Sequence, residues 1–261
     1  MASATPSEKS TPTDKTAPSE KAGPDYAVPA LDKALDILEL LADESGGLTQ
    51  LEIAQAIDRS PSQIFRVLTT LERRGYLFRE KQSGLYRLSL RLFDLAHRQE
   101  PLRSLTAAAL PVMRRLADDI RQSCNVSVLD AERVRVIAQV ESPGDFGFQV
   151  RVGALFPVAE TATGMVLDSY RRRPPDLHRS PIEEMLQQIL RDGYLERSDA
   201  RQPGITDVVF PILRGDGSAV AALTVPYVAT SFSATTPEVV VQRAGAAAGE
   251  IARSLALAAD A

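Results

Sequence analysis

Ser62, Gln63, Arg66, Thr69, Thr70 and Arg73 recur at spacings that place them along one side of a single helix. Hydroxyls, an amide and guanidinium groups are the donors that meet phosphates and base edges, so this set predicts contact with nucleic acid. The opposite side of the same helix is set by Ile64, Val67, Leu68 and Leu71 at i, i+3, i+4 and i+7. Thr49, Arg59 and Ser60 precede this helix, and Arg79 and Lys81 follow it, extending the same polar surface. Between Arg59 and Arg91 stand eight basic residues against two acids, whereas between Asp25 and Asp58 eight acids face one lysine. A net charge of −4 over the whole chain hides that contrast. A basic face on one side of a small domain is the footprint of a phosphate-backbone contact.

Catalytic chemistry is poorly supplied. Cys124 is the single cysteine, which excludes an internal disulfide framework, and its place in an alternating run fits a small core residue. The two histidines, His97 and His178, fall in no ligand-like cluster. Neither a metal site nor a nucleophile–histidine pair is expected, nor a cofactor, and no enzyme activity. No apolar run approaches the ~18–20 residues that cross a bilayer, so no membrane partner is expected and the location should be cytoplasmic.

The elements that must hold the polar surface have clear punctuation. Thr49 and Glu52 form a T-x-x-E capping box, and Ser60 and Gln63 an S-x-x-Q box with Pro61 at the first helical position. Two short helices therefore start about eleven residues apart, with Asp58, Arg59 and Ser60 as the turn between them. Gly75 ends the second helix, Tyr76–Arg79 alternates, Lys81–Gly84 turns, and Leu85–Leu88 returns as the other strand of a hairpin wing. Ahead of this motif Leu31, Ala34, Leu35, Leu38 and Leu41 make a helical stripe, stopped by Gly46–Gly47 and expected to pack on the two later helices. Residues 1–24 contain three hexapeptide copies, TPSEKS, TPTDKT and APSEKA, with no apolar patch, and are expected to form a disordered tail. They lack the apolar region and the arginines of a signal or transit peptide.

VPALDKALDILELL (28–41), LTQLEIAQAIDRSPSQIFRVLTTLERRGYL (48–77) and the wing resemble the N-terminal domain of the IclR family of bacterial transcriptional regulators. The family run R-L-L-x-x-L-x-x-x-G-Y-L is matched by Arg66, Val67, Leu68, Leu71 and Gly75–Tyr76–Leu77. The resemblance implies double-stranded operator DNA as partner and a homodimer or tetramer whose first helix shares in the dimer contacts.

Beyond a linker helix at Leu90–Arg98, interrupted before Pro101, a long helix spans about Leu102–Arg121. Cys124–Leu129 reads as a strand and the next places Val134, Val136, Ala138 and Val140 on one face. Phe146, Phe148, Val150 and Val152 suggest a third strand ended by Gly153, and Val208–Leu213 pairs with Ala219–Val225 as a hairpin. Pro211 puts its strand at an edge or a bulge. Helices near Thr163–Tyr170, Ile182–Asp192 and Pro237–Ala258 complete the set. The expected fold is α+β: a winged helix-turn-helix over 25–89, a linker helix over 90–101, and an antiparallel-sheet domain over 102–261. That last domain resembles the GAF-like effector-binding and oligomerisation domain of the IclR family.

Carried over by position, the family's effector pocket would use Phe148, Phe156, Thr161, Ala162, Thr163, Ile205, Asp207 and Thr224, with Arg197 beside them. The resemblance implies a small organic or aromatic acid as effector, held where free N–H groups open a helix. The chain departs from the family at Ala159–Glu160, where a histidine and small residues are common, and at Arg197, a position often acidic. The run before Gly193–Tyr194 is also short. Glu160 would repel a carboxylate unless it points outward or pairs with Arg197. Three classes of function compete. The first is a ligand-responsive DNA-binding regulator, a repressor rather than an activator, with a vestigial, effector-independent pocket as its variant. The others are an enzyme using the second domain and a winged-helix interaction protein without a DNA role.

Overall fold

The computed structural model describes residues 28–100, 102–145, 147–171, 181–199, 202–229 and 235–259. The hexapeptide tail, Asp25, Pro101, Phe146 and His178 lie outside the described residues. The chain divides between Phe93 and Asp94 into two units.

The first unit holds α1 (Pro29–Asp43), α2 (Gln50–Ala56), α3 (Pro61–Arg73) and the strands β1 (Leu77–Arg79) and β2 (Tyr86–Leu88). Its core joins Ile37 and Leu41 of α1, Ile53 and Ala54 of α2, and Ile64, Leu68 and Leu71 of α3 with Leu77 and Tyr86 of the wing. The apolar stripe of α1 is the expected one in part, with Ile37 added and Leu31 and Leu35 left out. Ala34, Ile37, Leu38 and Leu41 turn inward, while Leu31 and Leu35 are 54% and 48% exposed. The apolar face of this helix is wide, and periodicity alone does not say which of its two flanks, Leu31 and Leu35 or Ile37, turns toward α2 and α3.

Both helices of the motif end in the same way. Arg59 N–H donates to the Ala54 carbonyl (2.8 Å) and Tyr76 N–H to the Leu71 carbonyl (2.9 Å), each closing a Schellman turn. The turn residue has positive φ in both, 51° at Asp58 and 76° at Gly75. Glycine meets that requirement without strain, and aspartate is among the few other residues that tolerate it. Leu77↔Leu88, Phe78↔Arg87 and Arg79↔Tyr86 pair antiparallel in the wing. Leu48 bonds both ways to Tyr86, so the chain entering α2 is tied to the wing.

A short helix, α4 (Arg91–His97), crosses the division, and the second unit follows with α5 (Leu102–Ile120). Then come β3 (Cys124–Asp130), β4 (Arg133–Val140), β5 (Leu155–Pro157), α6 (Ala162–Ser169) and α7 (Pro181–Asp192), then β6 (Leu195–Ser198), β7 (Ile205–Leu213), β8 (Ala219–Val228) and α8 (Pro237–Ala259). Six strands form one sheet in the order β5-β4-β3-β8-β7-β6, and each adjacent pair is antiparallel. Helices α5 and α8 cover one face, where Val126, Val208, Ile212, Leu223 and Val225 point. Helices α6 and α7 pack on the other through Val134, Val209 and Ala222. Cys124 is buried in the first core, its thiol donating to the Met113 carbonyl, and burial pushes its pKa up to about 12.

Three readings of this unit need correction. Residues 147–151 form no strand; pairing with β4 begins only where Gly153 N–H donates to the Val136 carbonyl (2.8 Å), and β5 follows at Leu155. Val134 and Val136 do not share a face with Ala138 and Val140. A bulge opposite Val126 and Ser127 reverses the side, sending Val134 toward α6 and Ala138 toward α5 and α8. β6 is a strand that the residue pattern did not indicate. Pro211 sits in β7, beyond Val209 where the pairing with β6 ends, so its missing N–H faces a locally open edge.

Candidate nucleic-acid interface and ligand pocket

The polar surface of α3 is outward, as its pattern requires, but several of its donors are already committed. Thr69 and Thr70 donate their hydroxyls to the Phe65 and Arg66 carbonyls one turn back (2.9 and 2.8 Å). Gln63 accepts from the Ser60 N–H through Oε1 (2.9 Å), closing its half of the capping box. Thr49 gives its hydroxyl to Glu52 (2.8 Å) and accepts from the Glu52 N–H (3.3 Å). The Thr49 N–H also donates to the Glu52 carboxylate (2.7 Å), and that bond first, then the hydroxyl bond, holds the Glu52 carboxyl below the usual carboxylate range. The hydroxyl protons of Thr49, Thr69 and Thr70 are thus spent on neighbouring groups, because short polar side chains satisfy the nearest partners first. Arg59 donates to the Asp58 carbonyl (2.9 Å). Ser60 and Ser62 share a hydroxyl contact (3.0 Å).

Arg79 braces the wing. Its Nε donates to the Gly84 carbonyl (3.3 Å) and its guanidinium lies over the Tyr86 ring at 5.4 Å. Among the described residues, no hydrogen bond or ion pair engages the exposed side chains of Arg66, Arg73 or Lys81. Those three cations are the groups at hand for phosphate or base contact. Two further residues escaped the sequence reading. Gln50 donates from Nε2 to the Pro61 carbonyl (2.9 Å), fastening the start of α2 to the start of α3. Phe65 is 55% exposed on α3 between the polar positions. Its neighbours in sequence at i−3, i+1 and i+4 are Ser62, Arg66 and Thr69, a spacing that signals the shared face.

The second unit carries a cavity of about 150 Å³ on the α6 side of the sheet. Val134, Val136, Phe148, Val150 and Phe156 supply apolar wall, and Asn125, Ser127, Thr163 and Thr224 a buried polar floor. Thr163 and Thr224 share a hydroxyl hydrogen bond (2.8 Å), and Ser127 donates to Asn125 Oδ1 (3.1 Å). Thr161 caps α6 by accepting from the Gly164 N–H (3.0 Å), and Ala162 and Thr163, the first two helical residues, have N–H groups with no acceptor one turn back within the helix. Gly164 is required there: a Cβ would lie 2.0 Å from the Val158 carbonyl oxygen. At the far side Arg197 faces Asp207 across the β6–β7 pair, with Asp199 and Glu160 also in the lining. Burial, then the charge of Asp199, pushes the Asp207 pKa up to about 6, against the pull of Arg197. Among the described residues no group of three or more His, Cys, Asp or Glu could hold a metal, and no helix is long and apolar enough to cross a membrane.

Two known sequence patterns match this chain, one over the helix-turn-helix and one over the first part of the second unit. The IclR helix-turn-helix domain matches residues 30–81, and the bacterial transcriptional regulator IclR C-terminal domain matches residues 102–179. The transcriptional regulator BhcR of Paracoccus denitrificans is 30% identical over 216 residues, covering 76% of this chain and 77% of that protein. The chain belongs to the IclR family. KdgR of Dickeya chrysanthemi is 27% identical over 225 residues, 79% of this chain and 73% of its own. Among solved structures, an IclR homologue of Microbacterium hydrocarbonoxydans in complex with 4-hydroxybenzoate superposes with a TM-score of 0.68 at 23% identity, covering 87% and 98% of the two chains. The IclR regulator of Alicyclobacillus acidocaldarius gives 0.62 at 27% identity over 89% and 99%. The fold is thus the IclR arrangement of a winged helix-turn-helix and a GAF-like antiparallel-sheet domain, and the chain is a transcriptional regulator of that family.

Within this IclR regulator, the positions carried over from the family gather well. Phe148, Phe156, Thr161, Ala162, Thr163, Arg197, Asp207 and Thr224 line one cavity. Ile205 does not: it is buried at the start of β7, two residues before Asp207, outside the lining. Asn125, Ser127 and Asp199 are lining residues that the sequence reading did not single out. The alternation of β3 was the available signal, since it puts Asn125 and Ser127 on the face opposite Val126.

Proposed function

We propose that the protein is a repressor that binds pseudo-palindromic operator DNA in the cytoplasm as a homodimer, or as a tetramer made of two such dimers, and releases it when a small organic or aromatic acid fills the second unit. Residues 25–89 act as the DNA reader, 90–101 as the connector and 102–261 as the effector-binding and oligomerising part, without turnover. One reader of this size contacts too few base pairs for specificity, and two-fold dimers reading two half-sites are the general solution. The cavity carries the ligand reading. Its volume of about 150 Å³ is the size of an engineered cavity that holds benzene. Its lining includes the start of α6 and, on another side, Arg197, both suited to a carboxylate. The Microbacterium homologue, bound to 4-hydroxybenzoate, is a precedent of the same chemical class.

A second reading rests on the lining carboxylates. Glu160, Asp199 and Asp207 outnumber Arg197, which favours a neutral or cationic ligand. A thermal-shift panel of matched compounds, starting with 4-hydroxybenzoate, its amide and 4-hydroxybenzylamine, separates the two. A ligand of the native state raises the melting temperature and, because coupling is reciprocal, changes DNA affinity. Stabilisation by the acid alone supports the first reading. Stabilisation by the amide or amine, with the acid gaining only in Glu160→Gln, supports the second.

A further inference from the structure

The ring of Phe65 is not part of the core of the first unit. Ile64 and Leu68 on either side of it are fully buried in the core, yet Phe65 is 55% exposed. An aromatic side chain held in water costs stability, and here it stands among groups suited to a polyanion: Arg66 follows it, and Ser62 and Thr69 flank it one turn away. Thr69 has spent its hydroxyl proton on the Phe65 carbonyl, so its γ-methyl is the part of that side chain not engaged. Gln63 has its Oε1 committed to the Ser60 N–H, which prevents the paired donor and acceptor contact to adenine unless the cap opens. The hydrogen-bonding capacity of the first turns of α3 is therefore reduced, and an apolar patch is put in its place. In the major groove the matching apolar group is the 5-methyl of thymine. Residues in the first turns of a recognition helix are those that reach base edges, and Phe65 is the fifth residue of α3.

We propose that Phe65 is a specificity-determining residue that reads the 5-methyl group of a thymine in each operator half-site. This rests on α3 being the base-reading helix. The ring packs on the methyl while Arg66 and Arg73 engage the backbone or neighbouring bases, so thymine is distinguished by an apolar contact. A protein partner for the same ring would sit beside two free arginines and is the less complementary occupant.

The test uses the full-length protein and duplexes that it enriches from a random DNA library. Each thymine is replaced in turn by deoxyuridine, which removes the methyl and keeps every hydrogen-bonding group. The native protein should bind about fourfold more weakly when the critical methyl is lost, the worth of burying one such group. Phe65→Ala should bind the thymine duplex more weakly and no longer distinguish it from the deoxyuridine duplex. Phe65→Leu should keep part of the discrimination. Arg66→Ala should weaken both duplexes and preserve their ratio. An enriched site at which no thymine methyl matters, or a Phe65→Ala protein that retains the native ratio, overturns the proposal alone. Failure to enrich any sequence overturns the DNA-reading assignment and this proposal together. Because the ring is exposed, Phe65→Ala should melt with the native midpoint, so a binding change is read at the interface.

Discussion

Replacing Asp207 with asparagine should stabilise the protein, and the gain should depend on pH. Asp207 lies in the cavity lining, paired across the strands with Arg197 and near Asp199. Burial is the larger cause that raises its pKa from 3.8 to about 6, with the Asp199 charge second. The folded state thus prefers the neutral acid. The contribution of this group to stability is complete below the unfolded value and is lost as pH rises through about 6. A gap of about two pH units at 1.36 kcal/mol each sets a ceiling of roughly 3 kcal/mol, and partial access of water reduces the expected loss to about 1–3 kcal/mol. Asparagine never ionises and escapes that loss. Urea unfolding of both proteins between about pH 4.5 and 8 reads the effect directly, provided that the slope m is unchanged. The stability difference should grow from acid pH and level off above about pH 7. A difference that is constant over that range would refute the account of Asp207.

The same ionisation should govern the ligand: affinity for an aromatic acid should tighten as pH falls through about 6 in the native protein and stay flat in Asp207→Asn, measured by calorimetry. Gly164→Ala should push α6 off the Val158 carbonyl, cost about 1–3 kcal/mol and remove the thermal shift by ligand, while DNA binding measured without ligand persists. Thr49→Ala should cost about 1 kcal/mol of stability through the lost cap at α2, read by chemical unfolding; an unchanged stability with a weaker DNA complex would reassign Thr49 to direct contact.

Much of the first unit is legible because its signals are local. A cap is written in two residues three apart, as at Thr49 and Glu52, and a helix stop in one, as at Gly75. The same proximity supplies competing acceptors. Thr69 and Thr70 look like donors in sequence, but the nearest acceptor is the carbonyl one turn back. In the second unit the failures share a cause. Phe148 and Val150 alternate because both face the cavity, not because their backbone joins a ladder, so period two without a partner reads as a strand. The bulge in β4 depends on its register with β3, and β6, four residues with two charges, becomes a strand only because β7 offers it an edge. Ala34, Leu38 and Leu41 of α1 are placed inward as their spacing indicates, but only the position of α2 and α3 selects Ile37 over Leu31 and Leu35 beside them. The cavity itself brings together β3, β7, β8 and α6, residues up to a hundred positions apart, which no spacing rule connects.

The central claim is that α3 and the wing grip DNA through Arg66, Arg73 and Lys81. It is tested most directly by the salt dependence of binding to a self-selected duplex for the native protein, Arg66→Ala and Lys81→Ala. Lys81→Ala should weaken all sequences alike and reduce the slope of log affinity against log salt by about one. Arg66→Ala should lose about 1–3 kcal/mol and relax preference at particular bases. Unchanged affinity, slope and sequence preference in both variants would contradict the account.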